Sequence, residues 1–270
     1  MRQLQMLLLA LVTAAILGAA VFCCPRGRVT ILMYHHLVGD GEELNSMTVT
    51  VSRFRQDMEY LRENNYVTLL PEELSQILRG KKDCPERAVV VSFDDGYESN
   101  YSIAYPILRE TGCKAVISLI TENIREERED GAFMLCWPEV EEMEASGIVE
   151  FGSHSDNLHN PDIGGELRKG TDAVNGVQRL HGETREQYAE RVGTDLKRSF
   201  EKIQEHTGHA VQWFAYPYGA GDRWCEALLK DMEIPISVST EPGVARVGFG
   251  TRDLPRCGIR EDTDLAELLQ

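Results

Sequence analysis

Apolar positions along the chain gather into short unbroken runs separated by stretches of helical period, and that alternation carries the main architectural signal. Val29 to Tyr34 (VTILMY) is an apolar, β-prone run that predicts a buried strand, with His35 and His36 at its end. Ser52 can cap a helix that puts Phe54, Met58 and Leu61 on one face; Tyr66 to Leu70 then reads as a strand. Pro71 opens a helix through Leu74 and Leu78 that stops at Gly80. Ala88 to Phe93 (AVVVSF) is the strongest buried strand of the chain. It runs directly into Asp94, Asp95 and Gly96, ahead of a helical stretch to Gly112 and a strand from Lys114 to Ile120.

The same order repeats downstream. Trp137 and Pro138 start a helix with Val140 and Met143 inward and Gly147 as its stop, leading to a strand from Ile148 to Phe151 and the segment Gly152-Ser-His-Ser-Asp-Asn-Leu-His159. Residues 160–183, rich in Gly, Asn and Asp, read as a long surface loop. Thr184 and Gln187 form a capping box for a helix whose buried stripe is Tyr188, Val192, Leu196, Phe200 and Ile203, ending at Gly208. Trp213 to Tyr216 and Ile236 to Ser239 are two further strands, joined by a helix from about Asp222 to Met232. Repeated alternation of buried strands and helices predicts a parallel sheet or a β/α barrel.

The amino-terminal stretch departs from this pattern. Residues 3 to 25 contain no charged side chain and would span about 35 Å as a helix, enough for a bilayer core. Residues 1–28 therefore read as a membrane anchor or signal segment, with a retained anchor favoured because Ala19-Ala-Val-Phe22 makes a mediocre cleavage site. Residues 29–270 form one domain, and the localisation expected is extracytoplasmic, on the cell membrane, or secreted if the segment is cleaved.

Charge narrows the partners. The chain carries 28 Lys and Arg against 44 Asp and Glu, a net of −16. The first 28 residues hold only Arg2, Arg26 and Arg28, so residues 29–270 carry −19. An acidic body argues against nucleic acid. Of seven cysteines, five (Cys84, Cys113, Cys136, Cys225, Cys257) lie in the body without a CxxC pair, which reads as small buried hydrophobes rather than a disulfide framework or a thiolate metal site.

In folds of this class the polar residues at the carboxyl ends of strands form the site. Four such ends are polar here: His35-His36, Asp94-Asp95, His154 to His159, and Tyr216-Pro217-Tyr218. A carboxylate plus two imidazoles is a common three-ligand set for a catalytic divalent ion that keeps one position open for water. His154 and His159 are five residues apart, about 140° on a helix, so they converge only if the first ends a strand and the second follows a tight turn. An Asp-Gly turn with one aspartate capping the next helix would explain one of Asp94 and Asp95, not both. Two carboxylates suit a division of labour in which one binds the cation and the other takes a proton from water.

Ser92-Phe-Asp-Asp-Gly-Tyr97 followed by Gly152-Ser-His-Ser-Asp-Asn-Leu-His159 resembles the polysaccharide deacetylase family, the NodB-homology domain of carbohydrate esterase family 4, over about residues 29–260. The resemblance implies an α/β fold, a distorted (β/α) barrel of the NodB type. It implies metal-dependent hydrolysis of N-acetyl groups on an amino-sugar polysaccharide of the peptidoglycan or poly-N-acetylglucosamine type. It makes Asp94 the general base and Asp95, His154 and His159 the metal ligands. The ion implied is zinc, with cobalt or nickel also suited to this set. Phe214-Ala-Tyr-Pro-Tyr-Gly219 matches the family's third motif, whose tyrosine amide, here Tyr218, would help hold the oxyanion, with Pro217 and Tyr218 at the substrate. Trp137 and Tyr97 are candidates for walls of a sugar groove, and equally for plain packing residues.

Three features depart from the family pattern. Ala215 stands where an arginine usually orients the base, no histidine follows His209, and Thr240-Glu-Pro-Gly243 occupies the place of the aspartate-rich fourth motif. The early Ile31-Leu-Met-Tyr-His-His36 is similar to the permuted poly-N-acetylglucosamine deacetylases, which makes His35 the general acid, with His36 second. Two other functions compete: a glycan-binding pseudoenzyme, motivated by Ala215 and the absent fourth motif, and an O-acetyl esterase using the same metal site.

Overall fold

The computed structural model describes residues 27–159 and 176–270. The expected anchor therefore lies outside the described residues, apart from Gly27 and Arg28, and so does most of the expected 160–183 loop.

The strands are β1 (Arg28–Tyr34), β2 (His36–Val38), β3 (Thr48–Thr50), β4 (Val67–Thr68), β5 (Ala88–Phe93), β6 (Ala115–Leu119), β7 (Val149–Ser153), β8 (Trp213–Ala215), β9 (Ile236–Val238), β10 (Ala245–Arg246) and β11 (Cys257–Gly258). The helices are α1 (Val51–Glu63), α2 (Pro71–Leu78), α3 (Tyr105–Thr111), α4 (Trp137–Ala145), α5 (Arg185–Tyr188), α6 (Thr194–Thr207), α7 (Arg223–Asp231) and α8 (Leu265–Leu268). The main sheet runs β10-β1-β5-β6-β7-β8-β9, with β11 also on β1 and β4 on β5, while β2 and β3 pair separately. Every pairing is parallel except β10 on β1.

One short segment draws the two ends of this sheet together. The Leu254 N–H bonds the Ser237 carbonyl at 2.9 Å and the Ser239 N–H bonds the Leu254 carbonyl at 2.9 Å, so residue 254 lies on the outer edge of β9. Three residues later β11 pairs with the opposite edge, Cys257 facing Leu32 of β1. Residues 254–258 thus span the gap, and the sheet curls into the distorted barrel expected from the motifs.

Strand alternation sorts the core into two faces. Leu32, Tyr34, Val89, Val91, Phe93, Ile117 and Phe151 pack outward against α1, α3, α4 and α6, through Phe54, Met58, Leu108, Met143 and Ile203. Val29, Ile31, Val90, Val116, Trp213, Ala215, Ile236 and Val238 form the inner cluster, closed below by Leu74 and Ile77 of α2. Burying each such side chain contributes on the order of 1.5–3 kcal/mol.

Local details differ from the sequence expectation. The first helix begins at Val51, capped by Thr50, whose hydroxyl accepts the Arg53 N–H at 3.1 Å; Ser52 lies inside it and turns to Asp40. The strand read at Tyr66 to Leu70 contracts to the two residues of β4. The stretch after Gly96 begins with a π-turn, Asn100–Ala104, before α3, and a second π-turn, Ala189–Gly193, joins α5 to α6. Gly112 and Gly208 end their helices with positive φ, as read from sequence.

Candidate metal centre and active site

The site is built at the carboxyl ends of β1, β5, β7 and β8, over a cleft of about 530 Å³ lined by His35, Asp94, His154, His159, Tyr216 and Tyr218 among others. Its loops are held in conformations that most residues avoid. Six described non-glycine residues have positive φ, and three of them, Asp95, Ser155 and Tyr218, lie in the loops that build this cleft. At Asp95 the φ of 75° turns the chain sharply after β5, and Gly96 follows with a φ of 85°. A Cβ at Gly96 would sit 2.9 Å from Leu119 Cδ2, so only glycine fits there.

Asp94 and Asp95 then diverge in role. Asp94 is 2% exposed and accepts two hydrogen bonds from the Arg256 guanidinium, at 2.8 and 2.6 Å. Burial alone would raise its pKa, yet the field of Arg256, with His154 and His35, holds the carboxyl well below the usual carboxylate range. Burial, with Asp94 as neighbour, pushes Asp95 up, opposed by His35 and by a hydrogen bond from Tyr97.

His154 comes from the end of β7, where its N–H bonds the Leu119 carbonyl at 2.8 Å. Its Nδ1 lies 2.8 Å from the Ala215 carbonyl and takes the donor role there, which leaves Nε2 as the lone-pair nitrogen, 3.6 Å from Asp95 Oδ1. Burial pushes the His154 pKa down to about 3, which favours the neutral ring, the form able to ligate a cation. The tight turn between the two histidines is anchored from α6. Asp195 accepts the N–H groups of Asp156 and Asn157 at 2.8 and 2.9 Å, while the buried Asp156 carboxylate takes Thr121, Arg198 and Lys202. His159 is thereby returned to within 4.6 Å of His154, ring centre to ring centre, and stacks on Tyr218 at 4.2 Å.

Asp95, His154 and His159 offer three ligand-type atoms that lie within 4.8 Å of one another. Two buried atoms here, Asp95 Oδ1 and His159 Nδ1, have no hydrogen-bond partner. A carboxylate oxygen buried unpaired is costly, and a divalent cation would satisfy it. The donor set fits such an ion.

The two early histidines separate. His35 lines the cleft, where burial lowers its pKa against the opposing fields of Asp94 and Asp95. His36 turns to Ser99, Nδ1 to Oγ 2.9 Å, and joins an aromatic group with Tyr97 and Phe133 at ring distances of 4.9 and 5.2 Å. Phe133, 62% exposed, stands at the rim beside Tyr97.

Two other expectations are corrected by placement. Trp137 is 3% exposed and stacks on His206 at 4.1 Å, as a packing residue of α4 that does not wall the groove. Pro217 is buried in the turn before Tyr218, so it shapes the loop and leaves contact with a ligand to the half-exposed Tyr218. Arg256, fully buried, was missed from sequence. The available signal was Leu254-Pro-Arg256, an arginine in phase with a core leucine on a strand-like segment.

Comparison with known proteins follows the same lines. The family model described as polysaccharide deacetylase matches residues 81–236. A Bacillus subtilis (strain 168) relative, YxkH, whose name places it among polysaccharide deacetylases, is 31% identical over 235 residues, 86% of this chain and 71% of that protein. The poly-beta-1,6-N-acetyl-D-glucosamine N-deacetylase of Escherichia coli (strain K12) is 26% identical over 260 residues, 91% of this chain but 38% of the relative's length. The structure of IcaB from Ammonifex degensii superposes with a TM-score of 0.73 at 25% identity, covering 88% of this chain and 94% of that one. A de-N-acetylase from Aggregatibacter actinomycetemcomitans, 24% identical, shares the fold with a TM-score of 0.74, covering 88% of this chain and 97% of the other.

Proposed function

Because the chain belongs to the polysaccharide deacetylase family, we propose that it hydrolyses N-acetyl groups on an amino-sugar polysaccharide, water and amide giving acetate and a free amine. The observation that carries this reading is the convergence of an arginine-held carboxylate, Asp94, with Asp95, His154, His159 and His35 around one cleft. The polymer proposed is of the poly-N-acetylglucosamine or peptidoglycan type. The E. coli relative's name favours the first.

Asp95, His154 and His159 would hold the ion, proposed to be zinc, with cobalt or nickel able to replace it; when bound it supplies Lewis-acid polarisation of the acetamide carbonyl. The protein's own groups do the rest. Asp94, kept ionised by Arg256, takes the proton of the attacking water. His35 is proposed as the acid that donates to the departing amine; burial lowers its pKa, and the fields of Asp94 and Asp95 oppose that loss of its proton. Tyr218, at the cleft wall and stacked on His159, is proposed to hold the developing oxyanion through its backbone amide. Base and acid are separate groups in opposite protonation states, as hydrolysis of a poor leaving group requires.

The pseudoenzyme alternative rests on Ala215 and the absent fourth motif, and Arg256 weakens the first ground by supplying Asp94 with a guanidinium partner. Arg256, just before β11, donates Nε to the carbonyl of Ser239, the residue after β9, at 2.8 Å, and this leaves its other two nitrogens to Asp94. We further propose that residues 1–28 anchor the chain in a membrane with the domain on the extracytoplasmic side. The deciding test is acetate release from N-acetylglucosamine oligomers by the full chain, with zinc or cobalt, with chelator, and with Asp94→Asn. Release that needs the metal and is lost in the variant supports hydrolysis; glycan binding without release under all conditions overturns it.

A further inference from the structure

The end of the barrel opposite the cleft carries a feature that hydrolysis does not use. Phe249 is 85% exposed, set between Gly248 and Gly250 at the tip of the turn after β10. The tip is held rigidly: the Val247 N–H bonds the Gly27 carbonyl at 3.2 Å, the Gly248 N–H the Leu78 carbonyl at 2.9 Å, and the Phe249 N–H the Arg246 carbonyl at 3.2 Å. A single exposed aromatic is ordinary on a protein surface; what sets Phe249 apart is the backbone-braced turn that carries it and the charge around it.

Its surroundings are cationic in a chain of net −16. Arg28 and Arg246 face each other across the β1–β10 pair, and the loop after Leu78 brings Arg79, Lys81 and Lys82, all exposed. The acidic groups nearby are Asp83 and Glu86, with Glu73 bound to Lys82 and Lys114. Arg28 also reaches the Gln270 carbonyl. Even so, the five cations outnumber Glu73, Asp83 and Glu86.

The sequence supplies the occupant. The uncharged run of residues 3–25 ends two residues before Gly27, and Gly27 lies in this same patch, where a Cβ would strike Cys84 and Val247 at 2.6 and 2.9 Å. Resting on the reading of residues 1–28 as a membrane anchor, we propose that the Phe249 face docks on an anionic bilayer surface, with the ring at the headgroup boundary and Arg79, Lys81, Lys82 and Arg246 against lipid phosphates. Seven residues of β1 separate Arg28 on this face from His35, about 20 Å of strand. Docking therefore points the cleft away from the bilayer, toward glycan lying outside the headgroup layer.

The test uses the full chain in vesicles of phosphatidylcholine with and without phosphatidylglycerol. Phe249→Trp adds an indole whose signal is read as the difference from the parent chain with its three native tryptophans, and thermal unfolding checks that the fold is unchanged. Docking predicts a blue-shifted indole quenched by lipids brominated near the glycerol end, most strongly in anionic vesicles. High salt, or Lys81→Glu with Arg246→Glu, should reverse the quenching. Chains that co-float with vesicles yet show a water-like, unquenched indole overturn the docking and leave the anchor standing. Chains that do not co-float overturn the anchor and, with it, the docking.

Discussion

Arg256 meets Asp94 with two parallel hydrogen bonds across 162 residues of sequence, and both side chains are almost wholly buried. Against the cost of burial, that guanidinium is the strongest influence keeping the Asp94 carboxyl ionised, so the proposed base depends on the segment that closes the barrel.

Removing the guanidinium should expose that dependence. In Arg256→Met burial acts on Asp94 unopposed by its largest lowering influence, so its pKa rises. The acid limb of the pH profile of kcat/KM should move to higher pH, and kcat at neutral pH should fall by about 10²-fold. Arg256→Lys, keeping charge but losing the paired geometry, should lie between. Steady-state acetate release across pH reads all three enzymes; an unshifted acid limb in Arg256→Met would show that Asp94 is not the base.

Asp195 hydrogen-bonds none of Asp95, His154 and His159, the proposed ligands, yet it fixes the turn that returns His159 to His154. Asp195→Ala frees two backbone N–H groups and loosens that turn. Zinc affinity, measured by competition with a chromophoric chelator, should weaken by about 10–100-fold, the usual cost of losing an outer support. Unchanged affinity would mean that the Asp156 contacts to Thr121, Arg198 and Lys202 suffice.

Much of this was readable from short-range pattern. The runs around β1, β5 and β6 are continuous and apolar, and Asp94-Asp95 and His154 to His159 stand at strand ends where polar residues have no packing reason to be. What escaped was set by closure at long range. β10 and β11 are two residues each, too short for periodicity, and their pairing with β1 depends on how the sheet curls. Arg256 is legible only once that curl brings it beneath Asp94. Trp137 misled because an aromatic at a helix start near a site looks the same in sequence whether it faces a cleft or, as here, His206.

Phe133 offers a ring face to solvent beside Tyr97 and His36. A pyranose stacked there would be a neighbour of the reacting sugar, so Phe133→Ala should raise KM for long oligomers about fivefold, on the order of 1 kcal/mol, with kcat unchanged. Equal KM values for variant and parent on a series of oligomer lengths would remove the rim from substrate binding.

Glu150 gives a stability prediction independent of chemistry. On β7 it is half-buried near Glu144, and burial, then the Glu144 charge, pushes its pKa up to about 7 from an ordinary value of 4.5. A raised carboxyl pKa means the folded state holds its proton more tightly than the unfolded chain. The resulting stability is therefore present in full below the unfolded value and is lost as pH rises through about 7. Above that pH the fold carries a poorly solvated charge that Glu150→Gln removes. The variant should match the parent at pH near 5 and exceed it above pH 8 by about 1–3 kcal/mol, several degrees in Tm. Thermal unfolding at both pH values decides it: a Gln variant no more stable than the parent at high pH would show that Glu150 is solvated rather than buried beside Glu144.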